Sequence, residues 1–116
     1  MNPPLEGFFL NCNKEFMDKF ILAIDAGTTS SRVILFGKNT SAVERAQYEF
    51  NQIFPKQGWV DHDAIEILNT QLKAIRDVIN NSKIDPNNID SVGITNQRET
   101  TVIWNKKTGK PVYNAI

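Results

Sequence analysis

The sequence predicts a single α/β domain in which a meander of three strands is followed by a helix and a fourth strand in one mixed sheet. Three observations predict it: an unalternating apolar run at residues 20–24, a change to helical apolar spacing after Asp63, and a return to a strand pattern at Val92.

Residues 20–24 (FILAI) lack polar alternation, as in a strand covered on both faces, and the run ends at Asp25. Residues 26–30 have turn chemistry, and Val33, Ile34, Leu35 and Phe36 open a second strand. Lys38, Asn39 and Thr40 turn the chain again, and Val43, Tyr48 and Phe50 mark a third strand of imperfect alternation. Short links between successive strands imply an antiparallel meander. Pro55 and Gly58 make the segment before Asp63 a loop. Asp63 then stands as a helix N-cap, with Glu66 three residues on in a variant of the capping box. Ile65, Leu68, Leu72, Ile75 and Ile79 follow at spacings of 3, 4, 3 and 4, which predicts one apolar stripe on a helix of about five turns ending near Asn80, Asn81 and Ser82. Asp85-Pro86 signals a capped turn, and Val92, Gly93 and Ile94 a strand returning beside the first. Residues 100–104 and 111–113 flank Thr108-Gly109 and predict a closing hairpin. No helix follows, so one sheet face is expected to be bare and the domain incomplete at its C-terminal end.

Residues 1–19 show neither period and are read as an irregular N-terminal extension, with Met17 a possible alternative start, while 20–116 form the folded part. The 13 basic residues balance the 13 acidic ones, so composition offers no excess of positive charge to neutralise a phosphate backbone and no nucleic-acid partner is expected. Cys12 is the sole cysteine, which rules out an intrachain disulfide and weakly favours a reducing compartment. No apolar run is long enough for membrane insertion and no signal peptide is visible, so a cytoplasmic location is expected.

The sharpest local feature is the polar run 25–32 (DAGTTSSR) directly after the first strand. A phosphate needs several donors converging at short range; a glycine turn lets backbone N–H groups approach, and hydroxyls add to them. Asp25 at the strand end suits Mg²⁺, a hard cation that takes oxygen ligands. The run matches neither GxxxxGK[ST] nor GxGxxG, which removes the two common nucleotide fingerprints. A plain hairpin turn is the competing reading, but the four hydroxyl residues 28–31 exceed what a tight turn requires. A second cluster, residues 93–101 (GITNQRETT), places Arg98 and Glu99 between two strands, where a fork of donors and a pair of acceptors can bind adjacent hydroxyls of a polyol. A surface ion pair between them is the alternative. His62 lies between Asp61 and Asp63, but side chains adjacent in sequence rarely converge on one metal, and Asp63 serves better as the helix cap. Trp59 and Trp104 can stack on a sugar, with core packing favoured for Trp104. No nucleophile constellation can be assembled.

From residue 20 to 116 the chain resembles the amino-terminal part of the glycerol kinases, within the carbohydrate kinases that share the actin-like ATPase fold. The resemblance rests on residues 24–32 (IDAGTTSSR), 58–63 (GWVDHD), 93–101 and the TGKP and YNA segments at 108–111 and 113–115. The first of these is shared across the superfamily; residues 96–100 (NQRET) are more specific, because related kinases for xylulose and similar sugars differ there. The resemblance implies a ribonuclease-H-like βββαβ core plus hairpin, the first part of an N-terminal kinase lobe, with ATP held between two lobes. It implies that Thr28, Thr29, Ser30 and Arg32 contact nucleotide phosphates, that Asp25 lies near Mg²⁺, and that Arg98 and Glu99 bind glycerol. It places the general base and the adenosine pocket in a missing C-terminal remainder, so no catalytic base is assigned in this chain. The chain alone is expected to be inactive, with a non-catalytic remnant or interaction module as the alternative, and the full-length protein is a possible homo-oligomer.

Overall fold

The computed structural model describes residues 19–116; Cys12, Met17 and all of the extension before Lys19 lie outside them. The meander forms as expected. Strands β1 (Phe20–Ala26), β2 (Ser30–Phe36) and β3 (Ala42–Glu49) pair antiparallel in sequence order. The next two strands, β4 (Gln52–Ile53) and β5 (Asp61–His62), make a small separate ladder around the Pro-Gly loop. Helix α1 (Ala64–Ser82) then crosses back, and β6 (Ile89–Thr95) pairs parallel with β1, giving the sheet order β3-β2-β1-β6. This is the βββαβ arrangement read from the sequence.

Asp63 caps the helix: its Oδ1 accepts from the Ile65 amide at 2.8 Å and the Glu66 amide at 3.3 Å, satisfying two of the orphan donors of the first turn. The helix ends where Lys83 turns into the left-handed region (φ 57°), and Asp85 caps the short turn Pro86–Asn88 by accepting from the Asn87 amide.

The core lies between one face of β1 and β2 and the helix. Leu22, Val33 and Leu35 meet Ala74 and Val78, all buried, and each fully buried valine or leucine contributes roughly 1.5–3 kcal/mol. The buried stripe of α1 corrects the expectation. Ile75 packs against the core, but Ile65, Leu68 and Leu72 are exposed, and the residues that face the sheet are Ile67, Gln71, Ala74 and Val78. The two stripes have the same helical spacing, and it is the less apolar one, with the small Ala74 within it, that packs against the sheet. Tyr48 of β3 fixes the choice: its hydroxyl donates to the Asp77 carboxylate, and Lys73 Nζ lies 3.7 Å from its ring centroid.

The helix covers β2 and β3, barely reaches β1, and leaves β6 open. Val92 and Ile94, on the helix side of β6, are exposed, and so is Ile21 on the opposite face of the sheet. The bare sheet face is thus present. The closing hairpin shrinks to one bridge, Trp104 to Pro111, around a turn in which Asn105 Oδ1 accepts from the Lys107 and Thr108 amides. The bridge is flanked by bonds from the Asn105 amide to the Lys110 carbonyl and from the Val112 amide to the Ile103 carbonyl, both 2.8 Å, and a regular ladder does not develop beyond them. Trp104 is 61% exposed, which overturns its expected place in the core.

Candidate functional site

Strands β1 and β6 run parallel, and Asp25 and Thr95 are register partners at their carboxyl ends. The chain therefore leaves both strands at the same edge, and the two polar clusters, seventy residues apart in sequence, become neighbours. Ligands of open α/β sheets bind at such strand ends. Together Asp25, Ala26, Gly27 and Thr28 from the first cluster and residues 96–99 from the second line a cleft of about 440 Å³.

The first turn is tight. The Gly27 amide donates to the Ser30 carbonyl at 3.0 Å, and a Cβ at position 27 would stand 3.0 Å from that same oxygen, so any larger residue crowds the turn. The Phe50 amide donates to the Thr29 carbonyl at 3.2 Å and ties the turn to the end of β3. Of the hydroxyl residues, Thr28 and Thr29 are exposed, Thr28 on the cleft wall and Thr29 beside it. Ser30 already belongs to β2, and its Oγ accepts from Gln47 Nε2 at 2.8 Å. Ser31 is fully buried and meets Thr70 Oγ1 at 3.0 Å, so the last hydroxyl of the run secures the helix to the sheet and does not face the cleft.

Arg32 does not line this cleft directly. It stands opposite Asp25 in the β1–β2 ladder, and its Nη2 donates to Asp25 Oδ2 at 2.5 Å. Its other side borders a second hollow of about 420 Å³, shared with Arg45 and Gln47.

Arg98 and Glu99 are both exposed, and among the described residues neither makes an ion pair, so the competing reading of a surface salt bridge is absent. Glu99 has φ 63°, in the left-handed region that non-glycine residues seldom occupy. Such a conformation costs of order 1–3 kcal/mol and clusters at ligand-binding positions.

Asp25 and Glu99 are the carboxylates of the cleft. No group of three metal-ligating side chains occurs among the described residues. This donor set fits Mg²⁺, which binds through one or two carboxylates and completes its shell with phosphate oxygens and water.

His62 takes no part. Its ring is buried edge-on against Phe50, with centroids 5.5 Å apart, while its backbone pairs with Gln52 and Ala115. Asp61 beside it is 1% exposed, and its carboxylate finds no hydrogen-bond partner among the described residues; the same holds for the His62 ring and the Gln71 amide. Sequence reasoning missed these buried polar groups, and nothing in the DHD pattern distinguishes them from a loop. Trp59 is half exposed, with Lys56 Nζ 5.1 Å from its ring centroid, and lies outside the cleft. No described helix is long and apolar enough to cross a membrane.

The family model for the N-terminal domain of the FGGY carbohydrate kinases matches residues 20–116. Among curated relatives, a glycerol kinase of Mycoplasma mycoides is 58% identical over 98 residues, covering 84% of this chain and 19% of its own length. One of Borreliella afzelii is 59% identical over 98 residues, covering 84% of this chain and 20% of its own. The crystal structure of a Plasmodium falciparum glycerol kinase with ADP superposes with a TM-score of 0.74 at 38% identity, over 84% of this chain and 20% of that one. The chain therefore spans about a fifth of the length of the relatives it matches. With the βββαβ sheet, the strand-end cleft and the match over all of residues 20–116 in agreement, the chain belongs to the FGGY family of carbohydrate kinases, as part of its N-terminal domain.

Proposed function

We propose that this chain is the first part of an ATP-dependent glycerol kinase, which transfers the γ-phosphoryl group of ATP to glycerol and forms glycerol 3-phosphate. The observation that carries the reading is the single cleft in which the Gly27 turn faces Arg98 and Glu99. Its volume suits a small polyol and a phosphate group side by side, and its close relatives are glycerol kinases.

In this reading the exposed turn supplies phosphate donors from Thr28, Thr29 and the neighbouring amides, with Ser30 at the strand start and Arg32 contributing charge. Arg98 donates to glycerol hydroxyls and Glu99 accepts from them, which fixes the polyol in one orientation. The hydroxyl oxygen attacks the γ-phosphorus in line, the bond to the β–γ bridging oxygen breaks, and ADP leaves. Catalysis of this step is mostly positioning and charge neutralisation. Mg²⁺ held by Asp25 with phosphate oxygens and water would neutralise charge on the phosphates. The proton of the attacking hydroxyl goes to a base in the remainder of the kinase, Glu99 being engaged in holding the polyol. ATP and glycerol as substrates locate the work in the cytoplasm.

The remainder of the kinase is the natural partner of this segment. Three features support it: the chain's one-fifth coverage of its relatives, the open helix side of β6, and buried Asp61 without a donor. The apolar surface also favours a second reading, a non-catalytic remnant that associates through it. Incubation with Mg-ATP and glycerol, followed by assay of glycerol 3-phosphate, separates the two. A full-length kinase carrying this segment is expected to form the product and the 116-residue chain alone is not; a full-length protein unable to form it would leave only the second reading.

A further inference from the structure

We infer that Arg32 serves as the internal counter-ion of Asp25, so that a divalent cation gains the Asp25 carboxylate only when a phosphate group draws Arg32 away, and metal and nucleotide enter together. The inference rests on the nucleotide reading given above.

The geometry is specific. Asp25 and Arg32 are register partners at the turn end of the β1–β2 ladder, on the face of the sheet away from the helix, with Nη2 2.5 Å from Oδ2. Both side chains are partly open to solvent, at 34% and 47%, so the pair is screened and exchangeable. Asp25 lines the cleft and Arg32 lines the second hollow, so the guanidinium has room to change partner without disturbing the core.

The charges then dictate the order of events. The pair is neutral as it stands. A divalent cation arriving alone at Asp25 must displace Arg32 and leave that guanidinium unpaired beside a second positive charge. A phosphate arriving alone at Arg32 leaves the Asp25 carboxylate facing another anion. When the two arrive together each takes one partner: the guanidinium binds phosphate oxygens with its planar fork, and the carboxylate binds the hard cation. Both ligands bias the same two-state element, so each strengthens the other by the same factor.

The test uses Mn²⁺ as a paramagnetic probe, with the selectively labelled amide resonances of Gly27 and Thr28 as reporters, in a full-length kinase carrying this segment and in its Arg32→Gln variant, with and without ADP. Signals from Leu22, Val33 and Val78 report that the variant keeps its fold. The wild-type kinase is expected to need at least tenfold less Mn²⁺ for half-broadening when ADP is present. Arg32→Gln is expected to respond to Mn²⁺ alone at three- to tenfold lower concentration than the wild type, and to lose most of the ADP effect. Equal responses of both proteins to Mn²⁺ alone, with the ADP effect intact, would overturn the exchange and leave the nucleotide site standing. Absence of any response to Mn²⁺ with ADP in either protein would overturn both.

Discussion

Asp25 and Thr95 are partners in the parallel β1–β6 ladder, and this one pairing brings the Gly27 turn and the Arg98–Glu99 segment to the same cleft. Two loops that arise at the carboxyl ends of adjacent parallel strands cannot diverge within a few residues, so the topology sets a turn of hydroxyls and amides against an Arg–Glu pair, as the proposed division between phosphate and polyol requires.

That division predicts how Arg98→Ala behaves in a full-length kinase carrying this segment. A hydrogen bond from a charged donor is worth roughly 1.5–3 kcal/mol, so loss of Arg98 should raise the glycerol KM roughly 10- to 100-fold. The KM for ATP should change little. Steady-state kinetics with each substrate varied separately measures both, and an equal loss for ATP with an unchanged glycerol KM would remove Arg98 from the polyol site.

The turn itself can be tested at Gly27. An added Cβ would stand 3.0 Å from the Ser30 carbonyl oxygen, which the Gly27 amide also needs as acceptor. Gly27→Ala should open the turn and weaken ADP binding in the full-length kinase, with a stability loss of roughly 1–3 kcal/mol from local overpacking. Calorimetric ADP titration and a thermal melt check it. Retention of full ADP affinity would show that the backbone at 27 takes no part in holding phosphate.

The helix start gives a stability prediction independent of function. Asp63 Oδ1 holds the Ile65 and Glu66 amides, so Asp63→Ala should cost about 1 kcal/mol and speed hydrogen exchange at those two amides, whereas Asp63→Asn should cost little. Unchanged exchange in the alanine variant would show that the cap is dispensable.

Much of this was legible in the sequence, and the exceptions have physical causes. The meander, the crossover helix with its Asp63 cap and the parallel return of β6 follow from turn residues, caps and periodicity, which act locally. The two polar clusters were also legible, because polar runs at strand ends have few structural uses. Periodicity alone does not say which of two neighbouring helical stripes meets the sheet: Ile67, Gln71, Ala74 and Val78 repeat with the same spacing as the more apolar Ile65, Leu68 and Leu72. Nor does composition reveal that Ser31 turns inward to Thr70 while Ser30 turns outward to Gln47, since the pleat sends adjacent residues to opposite faces and one residue of register decides. The Asp25–Arg32 ion pair was hidden for the same reason, being a consequence of register and not of spacing.

One ion pair links the outer edge of the sheet to its start. Lys19 Nζ lies 2.9 Å from Asp90 Oδ1, and this hydrogen bond, then the charge of Asp90, raises the lysine pKa above its usual 10.5. A raised pKa means that any stabilisation is complete below the ordinary lysine range and is lost as pH rises through the folded-state value. Stability should therefore be insensitive to this pair at neutral pH and decline only under strongly alkaline conditions. Asp90→Asn should return Lys19 to its ordinary range, as read by NMR titration of its side chain. An unaltered Lys19 titration in that variant would mean that Asp90 is not its partner in solution.

The two apolar stripes of α1 should respond in opposite ways to substitution. Val78 is fully buried against Leu22, Val33 and Leu35, so Val78→Ala removes methyl contacts inside the core and should cost roughly 2 kcal/mol, measured by denaturant unfolding. Leu68 and Leu72 lie on the flank away from Tyr48, towards the uncovered side of β6 where Val92 and Ile94 are also exposed. Exposed apolar side chains gathered on one side of a domain make a contact surface or a source of aggregation. Leu72→Ser combined with Val92→Thr should leave the unfolding free energy of the isolated chain within about 0.5 kcal/mol, since surface positions contribute little to the fold. The same pair should reduce its binding of an apolar dye and its self-association in sedimentation. In a full-length kinase the double variant should instead lose stability, because this surface would then be covered by the rest of the protein. Equal tolerance in both settings would mean that neither helix flank nor β6 is covered there, and the partner role of the remaining chain would have to be carried by the surface around buried Asp61 alone.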